Sequence, residues 1–238
     1  MRKVAFTVVA VIISGVVAAA IVVGLLQGTP SQVMRAEALA IAETYVTHQW
    51  IPSGSNAFHG VDAEGIRVDT PDISFKPPAN EPDDDPGWWV AGQSNVGLPY
   101  KWGGFDTPED FDRGLVEGKY AGDSYSSEKR RLLDAAVSSH AVGIDCSGFV
   151  SRCWKLPRSY STRELPQLCE PVRDLEKLQP GDVFNSYNAH VRLFAGWTDS
   201  THSRVRIYEA SDKVKSQELP LKPMLEEGYT AWRYRGMR

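Results

Sequence analysis

Residues 143–154 read GIDCSGFVSRCW, and the reading of Cys146 within them decides both fold class and chemistry. An acid, a cysteine, a small hydroxylic residue and a glycine stand before an apolar run. That order marks a helix start, with Asp145 or its neighbour as the cap and the helix ending before Pro157. A thiol there meets unpaired backbone N–H groups and the positive end of the helix dipole, both of which favour a thiolate. The same N–H groups can hold an oxyanion. Ser147 and Gly148 are small enough to let substrate and backbone come close.

The other roles open to Cys146 are a buried thiol, half of a disulfide and a metal ligand. Zinc needs further Cys or His at short spacing, and no CxxC is present, so no metal and no cofactor are expected. The chain has three cysteines. One disulfide plus one reactive thiol is the simplest partition outside the cytoplasm. Cys153 and Cys169 enclose 15 residues, and a bridge over such a loop contributes about 3 kcal/mol. Cys153 as a plain buried helix residue fits equally well.

A base has to come from a separate element. HVRLFAGW, 190–197, alternates as a strand with Val191, Leu193 and Ala195 on one face, and His190 opens it. SRVRIYEAS, 203–211, alternates likewise, and Glu209 shares the parity of the apolar Val205 and Ile207. A carboxylate on an apolar face is costly unless paired. An imidazolium on the neighbouring strand would satisfy it, and Glu209 would then orient His190 as the third member of a triad. The alternative is a bulge near Tyr208 that turns Glu209 outward, which leaves Asn185 and Asn188 as the next candidates.

Working toward the N-terminus, the spacing predicts helices over 126–139, with a solvated basic face, and from Thr107 as N-cap with Pro108 in the first turn. Residues 51–90 are rich in Pro, Gly and Asp and read as loops with one short strand at 65–69. The DAEG and DDD stretches lack calcium-loop spacing and read as solvated acids, and His59 reads as a structural loop residue. A helix over 31–48 takes Ser31 as cap and Met34, Ala38, Ile41 and Tyr45 as its apolar stripe. Residues 161–164 hold a capping-box pattern for a short helix, and 230–237 is a last strand. Helices followed by a run of strands imply an α+β fold with an antiparallel sheet.

Residues 4–26 contain no charge. As a helix they would span roughly 35 Å, enough for a bilayer core and longer than a secretory h-region. Arg2 and Lys3 place the N-terminus in the cytoplasm and the rest outside. An uncleaved signal anchor is expected, with secretion after cleavage as the alternative. The remainder of the 238 residues carries 24 basic and 30 acidic side chains, which gives no basic patch and no expectation of nucleic-acid binding. The organisation expected is an anchor and linker at 1–30, a helix and loop-rich extension at 31–94, and a main domain at 95–238.

GLPYKWGG (97–104), GIDCSGFVSRCW, LPRS, LQPGDVF, HVRLFAGW and RIYEAS occur in the order seen in NlpC-type cysteine peptidases, and the match covers roughly 95–212. The resemblance implies a papain-like α+β fold with the cysteine at the N-terminus of a helix packed on an antiparallel sheet. Its nucleophile falls on Cys146, its histidine on His190 and its third polar residue on Glu209. The tyrosine of its YxWGG block, which lies near the nucleophile, falls on Tyr100. Tyr100 and Ser147 are therefore expected beside the substrate and oxyanion. The family's substrate is the peptidoglycan stem peptide, cut after D-glutamate, and a monomer is expected, partnered by the membrane through its anchor. A papain-like amidase or acyltransferase with another substrate, and an envelope binding module without turnover, are the alternatives. Two departures stand out: 41 residues, Phe105 to Asp145, separate YKWGG from the cysteine, and the third residue is Glu rather than His, Asn or Gln.

Overall fold

The computed structural model describes residues 32–77 and 86–238. The apolar run 4–26, Ser31 and the acidic triplet at 83–85 lie outside them. No helix among the described residues is long and apolar enough to cross a membrane.

Helix α1, Arg35–Thr47, begins at Met34, whose side chain makes no cap hydrogen bond. Its buried stripe is Ala38, Ala42 and Tyr45, while Met34 is 60% exposed. The expected stripe therefore turns by about one position, because two alanines let α1 sit close to its neighbour. The extension is more ordered than its composition suggests. Strands β1 (Gln49–Trp50), β2 (His59–Val61) and β3 (Arg67–Asp69) precede β4 (Asn95–Val96); β2 pairs with β3 and β1 with β4. The β2–β3 turn is closed by Asp62, which accepts from the backbone N–H groups of Glu64 and Ile66. Trp50 of β1 packs edge-on against Trp88, Trp89 and Phe111. His59 bonds to Asp72 at 2.9 Å, a structural contact.

Helix α2, Pro108–Val116, is capped by Thr107 with Asp110 completing the box. Strand β5 (Tyr120–Ala121) runs parallel to β6 (Ala141–Val142). Between them α3 spans only Ser127–Leu132 and gives way at Leu133, φ 53°, to a short 3₁₀ turn. The helix expected over 126–139 is thus cut in half, and its basic face is not all solvated. Lys129 is buried against the buried Asp123.

Helix α4, Cys146–Cys153, precedes strand β7 (Cys169–Pro171). Then come β8 (Val183–Ser186), β9 (His190–Trp197), β10 (Arg204–Ala210), β11 (Val214–Pro220), helix α5 (Leu221–Glu226) and β12 (Thr230–Tyr234). The six strands form one antiparallel sheet in the order β11-β10-β9-β8-β12-β7. Its two faces are both covered. Val183, Val191, Leu193, Ala210 and Tyr234 share a core with Phe149 and Val150 of α4 and with Trp154 just after it. Phe184, Phe194, Val205, Ile207 and Ala231 pack with Met224 of α5. Tyr45 of α1 meets Phe149 edge-on at 5.6 Å, so the extension shares the main core. A bulge opposite Arg206 and Ile207 skips Ala195: Gly196 and Phe194 take the pairing positions, and Ala195 is only half-buried.

The disulfide expectation is corrected. Cys153 and Cys169 are both free and buried. Cys153 lies within electrostatic reach of Tyr45 and of Tyr208 on β10. Cys169 pairs with Tyr234 in the edge strand β7. Both thiols fill apolar space.

Candidate active site

Asp145 is the cap that the sequence suggests. Its Oδ1 accepts from the Gly148 N–H at 2.6 Å and from the Ser147 hydroxyl at 2.9 Å. This fixes the first turn of α4 and leaves the Cys146 backbone N–H at the helix mouth. Ser147 donates its hydroxyl to this cap and lines the cavity beside Cys146. Gly148 is required for a second reason. A Cβ there would stand 2.1 Å from the carbonyl oxygen of Gly104. The YKWGG block and the nucleophile's helix touch backbone to backbone at this point.

Tyr100 of that block bridges Ile144 and receives the Asp123 N–H at its carbonyl. It is 8% exposed. Burial, followed by the charges of Cys146 and Asp145, pushes its phenol well above the ordinary value, so the hydroxyl keeps its proton. It lines the same cavity as Cys146.

His190 opens β9 after a tight turn in which Asn188 adopts φ 58°. Its Nε2 lies 2.8 Å from Glu209 Oε2. It also faces Cys146, and with Nε2 taken by Glu209, Nδ1 is the nitrogen left for the thiol. Burial opposes an imidazolium here. The facing Cys146 sulfur and the Glu209 carboxylate outweigh it and carry the His190 pKa up to about 9. Glu209 is 2% exposed. Burial disfavours its charge, yet His190 and Arg192 hold its pKa down to about 2.

Glu209 is held by more than His190. Arg192 Nε donates to the same Oε2 at 2.9 Å, and Gln217 Nε2 donates to Oε1. Arg192 lies over the Tyr229 ring, 4.4 Å from its centroid. Sequence reasoning missed all three. Arg192 carried a signal, the same parity as His190 two residues on. Gln217 carried none, because β11 alternates polar residues and has no apolar face to mark it. Asn185 is turned away, donating to the Thr162 carbonyl, and Asn188 lines the cavity from the turn.

Cys146, His190, Tyr100, Asp145 and Ser147 thus line one cavity of about 370 Å³. Among the described residues, Asp62, Glu64 and His140 are the one group whose ligand atoms converge as a metal would need. They lie outside that cavity, and Asp62 is already occupied by two backbone N–H groups and the Ser138 hydroxyl. The cavity's chemistry is that of a thiol paired with an imidazole, an oriented carboxylate behind it and backbone donors in front. No protein-family model matches the chain, and no curated protein matches it.

Proposed function

We propose that this chain is a papain-like cysteine hydrolase of the NlpC type that cuts amide bonds of peptidoglycan stem peptides outside the cytoplasm, anchored by its N-terminal apolar segment. One observation carries the reading: His190 is hydrogen-bonded to Glu209 and faces Cys146 at the wall of a cavity. A half-buried histidine that served only to fill space would not need a cysteine on one side and a buried carboxylate on the other.

The steps follow from that geometry. His190 takes the thiol proton, and the ion pair is stabilised by the adjoining carboxylate. The thiolate adds to the amide carbonyl, whose oxygen moves toward the Cys146 N–H and the Tyr100 side of the cavity. His190 returns its proton to the leaving amine, and a thioester remains. Water, deprotonated by His190, then releases the acid and restores the thiol.

The test is mass spectrometry of purified peptidoglycan fragments incubated with the full chain. New amine and acid termini within stem peptides, absent with Cys146→Ala, are expected. Intact stem peptides alongside hydrolysis of lipid or small-molecule amides would move the activity to another acyl substrate. Labelling of Cys146 by an electrophile without turnover of any amide would leave a binding module.

A further inference from the structure

Of the six residues of α3 only Lys129 is buried, while Glu128, Arg131 and Leu132 face solvent. The helix buries no apolar side chain of its own, and its deep anchor is the ion pair of Lys129 with Asp123. A helix docked by an apolar face is indifferent to pH, whereas one docked by a charge pair is not. The same segment forms a wall of the cavity, where Tyr125, Arg130 and Leu133 stand with Cys146. Its far end is strained: Leu133 sits at φ 53°, ψ −126°, held there by the bond from Trp102 Nε1 to its carbonyl at 3.1 Å.

Asp123 joins three parts of the chain. Its N–H donates to the Tyr100 carbonyl at 2.9 Å and its carbonyl accepts from the Trp102 N–H at 3.0 Å, which fixes it to the YKWGG block. Its Oδ1 accepts from Lys129 Nζ and from the Asp69 N–H at 3.1 Å. Its Oδ2 is buried without a hydrogen-bond partner among the described residues. The groups facing this carboxylate are Lys129 of α3, Lys101 and Tyr100 of the YKWGG block, and Arg67 of β3, itself paired with Asp69 at 2.7 Å. Burial raises the Asp123 carboxyl to about 6 against the pull of Lys129 and Lys101. Protonation takes the counter-charge from Lys129, whose side chain is 4% exposed and then has the Ser124 carbonyl at 3.0 Å as its acceptor. A buried ammonium without its anion is costly, and the cost ends when α3 lifts Lys129 into water. The sign follows from linkage. Releasing Lys129 removes a cation that holds the Asp123 pKa down, so the released form binds the proton more tightly and gains as pH falls.

We propose that Lys129 and Asp123 form a proton-operated latch on the cavity wall: protonation of Asp123 frees α3 and widens the approach to Cys146, and deprotonation closes it. The latch needs no turnover, so its test is separate from the hydrolase reading. Hydrogen exchange of the full-length chain reads it directly. Between about pH 7.5 and about pH 5, amide protection over 126–133, corrected for the intrinsic exchange rate, should fall by about tenfold or more while that of β9 and β10 holds. Asp123→Asn, which mimics the protonated acid, should leave 126–133 unprotected at both pH values. Adding Lys129→Met to Asp123→Asn removes the remaining charge and should restore protection at both. The cavity gives a second readout. The ratio of alkylation rates at Cys146 for a bulky maleimide over iodoacetamide should rise about threefold or more on acidification of the wild type, and stay level in the double variant. Equal protection at the two pH values, a loss of protection shared by β9 and β10, or an alkylation ratio that ignores pH overturns the latch. A chain that shows both pH steps and cleaves no amide would keep the latch and remove the hydrolase reading.

Discussion

Arg192 Nε lies 2.9 Å from Glu209 Oε2, on the very oxygen that holds His190. One carboxylate charge therefore serves two cations. The Glu209–Arg192 pair presents to His190 an acceptor whose charge is partly neutralised, nearer in effect to the Asn or Gln that the resemblance leads one to expect at this position. Arg192→Met should hand the whole charge to His190. In an NMR titration, the His190 imidazolium should then persist to higher pH than in the wild type. An unchanged or lower titration point would show that Arg192 takes no charge from Glu209.

Glu209→Gln keeps the shape and removes the charge. Turnover should fall at least tenfold, about 1.4 kcal/mol of barrier, with a smaller change in KM. Glu209→Ala should also destabilise the fold by about 2 kcal/mol or more, because the donors of Arg192 and Gln217 lose their buried acceptor. Steady-state kinetics and denaturant unfolding separate the two effects. A Glu209→Gln enzyme with full turnover would remove Glu209 from the catalytic apparatus.

The three thiols should behave differently. Burial pushes Cys153 well above the usual thiol range and Cys169 up to about 12. Cys146 alone pairs with an imidazole. At neutral pH iodoacetamide should modify Cys146 first, and Cys146→Ala should abolish turnover while the unfolding curve is kept. All three should be counted as thiols in the native protein, and reductant should leave Tm unchanged. A mass two hydrogens short, localised to Cys153 and Cys169, would restore the bridge.

Stability should fall on the alkaline side. The His190 pKa is raised from 6.5 to about 9 in the fold. A raised base contributes stability that is present below its unfolded pKa and lost as pH rises through the folded one. Tm should therefore drop between about pH 6.5 and 9. Cys146→Ala and Glu209→Gln, which each remove a source of the shift, should flatten that drop in differential scanning. An equal slope in all three proteins would contradict the coupling.

What the sequence made legible was local or periodic. The Asp145 cap, the opening of β9 at His190 and the buried parity of Glu209 with Val205 and Ile207 each depend on a few neighbouring residues, and the structure has them. The Thr107–Pro108 start of α2 is of the same kind. What was hidden depends on partners far along the chain. Gln217 reaches Glu209 only because β11 pairs with β10. Lys129 is buried because Asp123, itself paired to Tyr100, waits for it. Leu133 breaks a helix whose periodicity continues through it, since its carbonyl is drawn to Trp102. The stripe on α1 shifted because packing on α4 favours two alanines over the larger Met34 and Ile41. Spacing alone suggested a bridge between Cys153 and Cys169, and the structure has both as free thiols.

The isolation of the three sulfurs bears on how this protein ages. Cys146 and Cys153 are seven residues apart on one helix, roughly 10 Å along its axis, beyond the Cα separation of about 7 Å that a disulfide tolerates. Cys169 is sealed in an edge strand. A sulfenic acid formed on Cys146 by peroxide thus has no neighbouring thiol to condense with, and further oxidation runs on to the irreversible sulfinic state. Oxidative damage at this one atom is terminal unless a small thiol from solution reaches it. Conversely, the fold needs no oxidase to mature, because neither of its other sulfurs has to be joined.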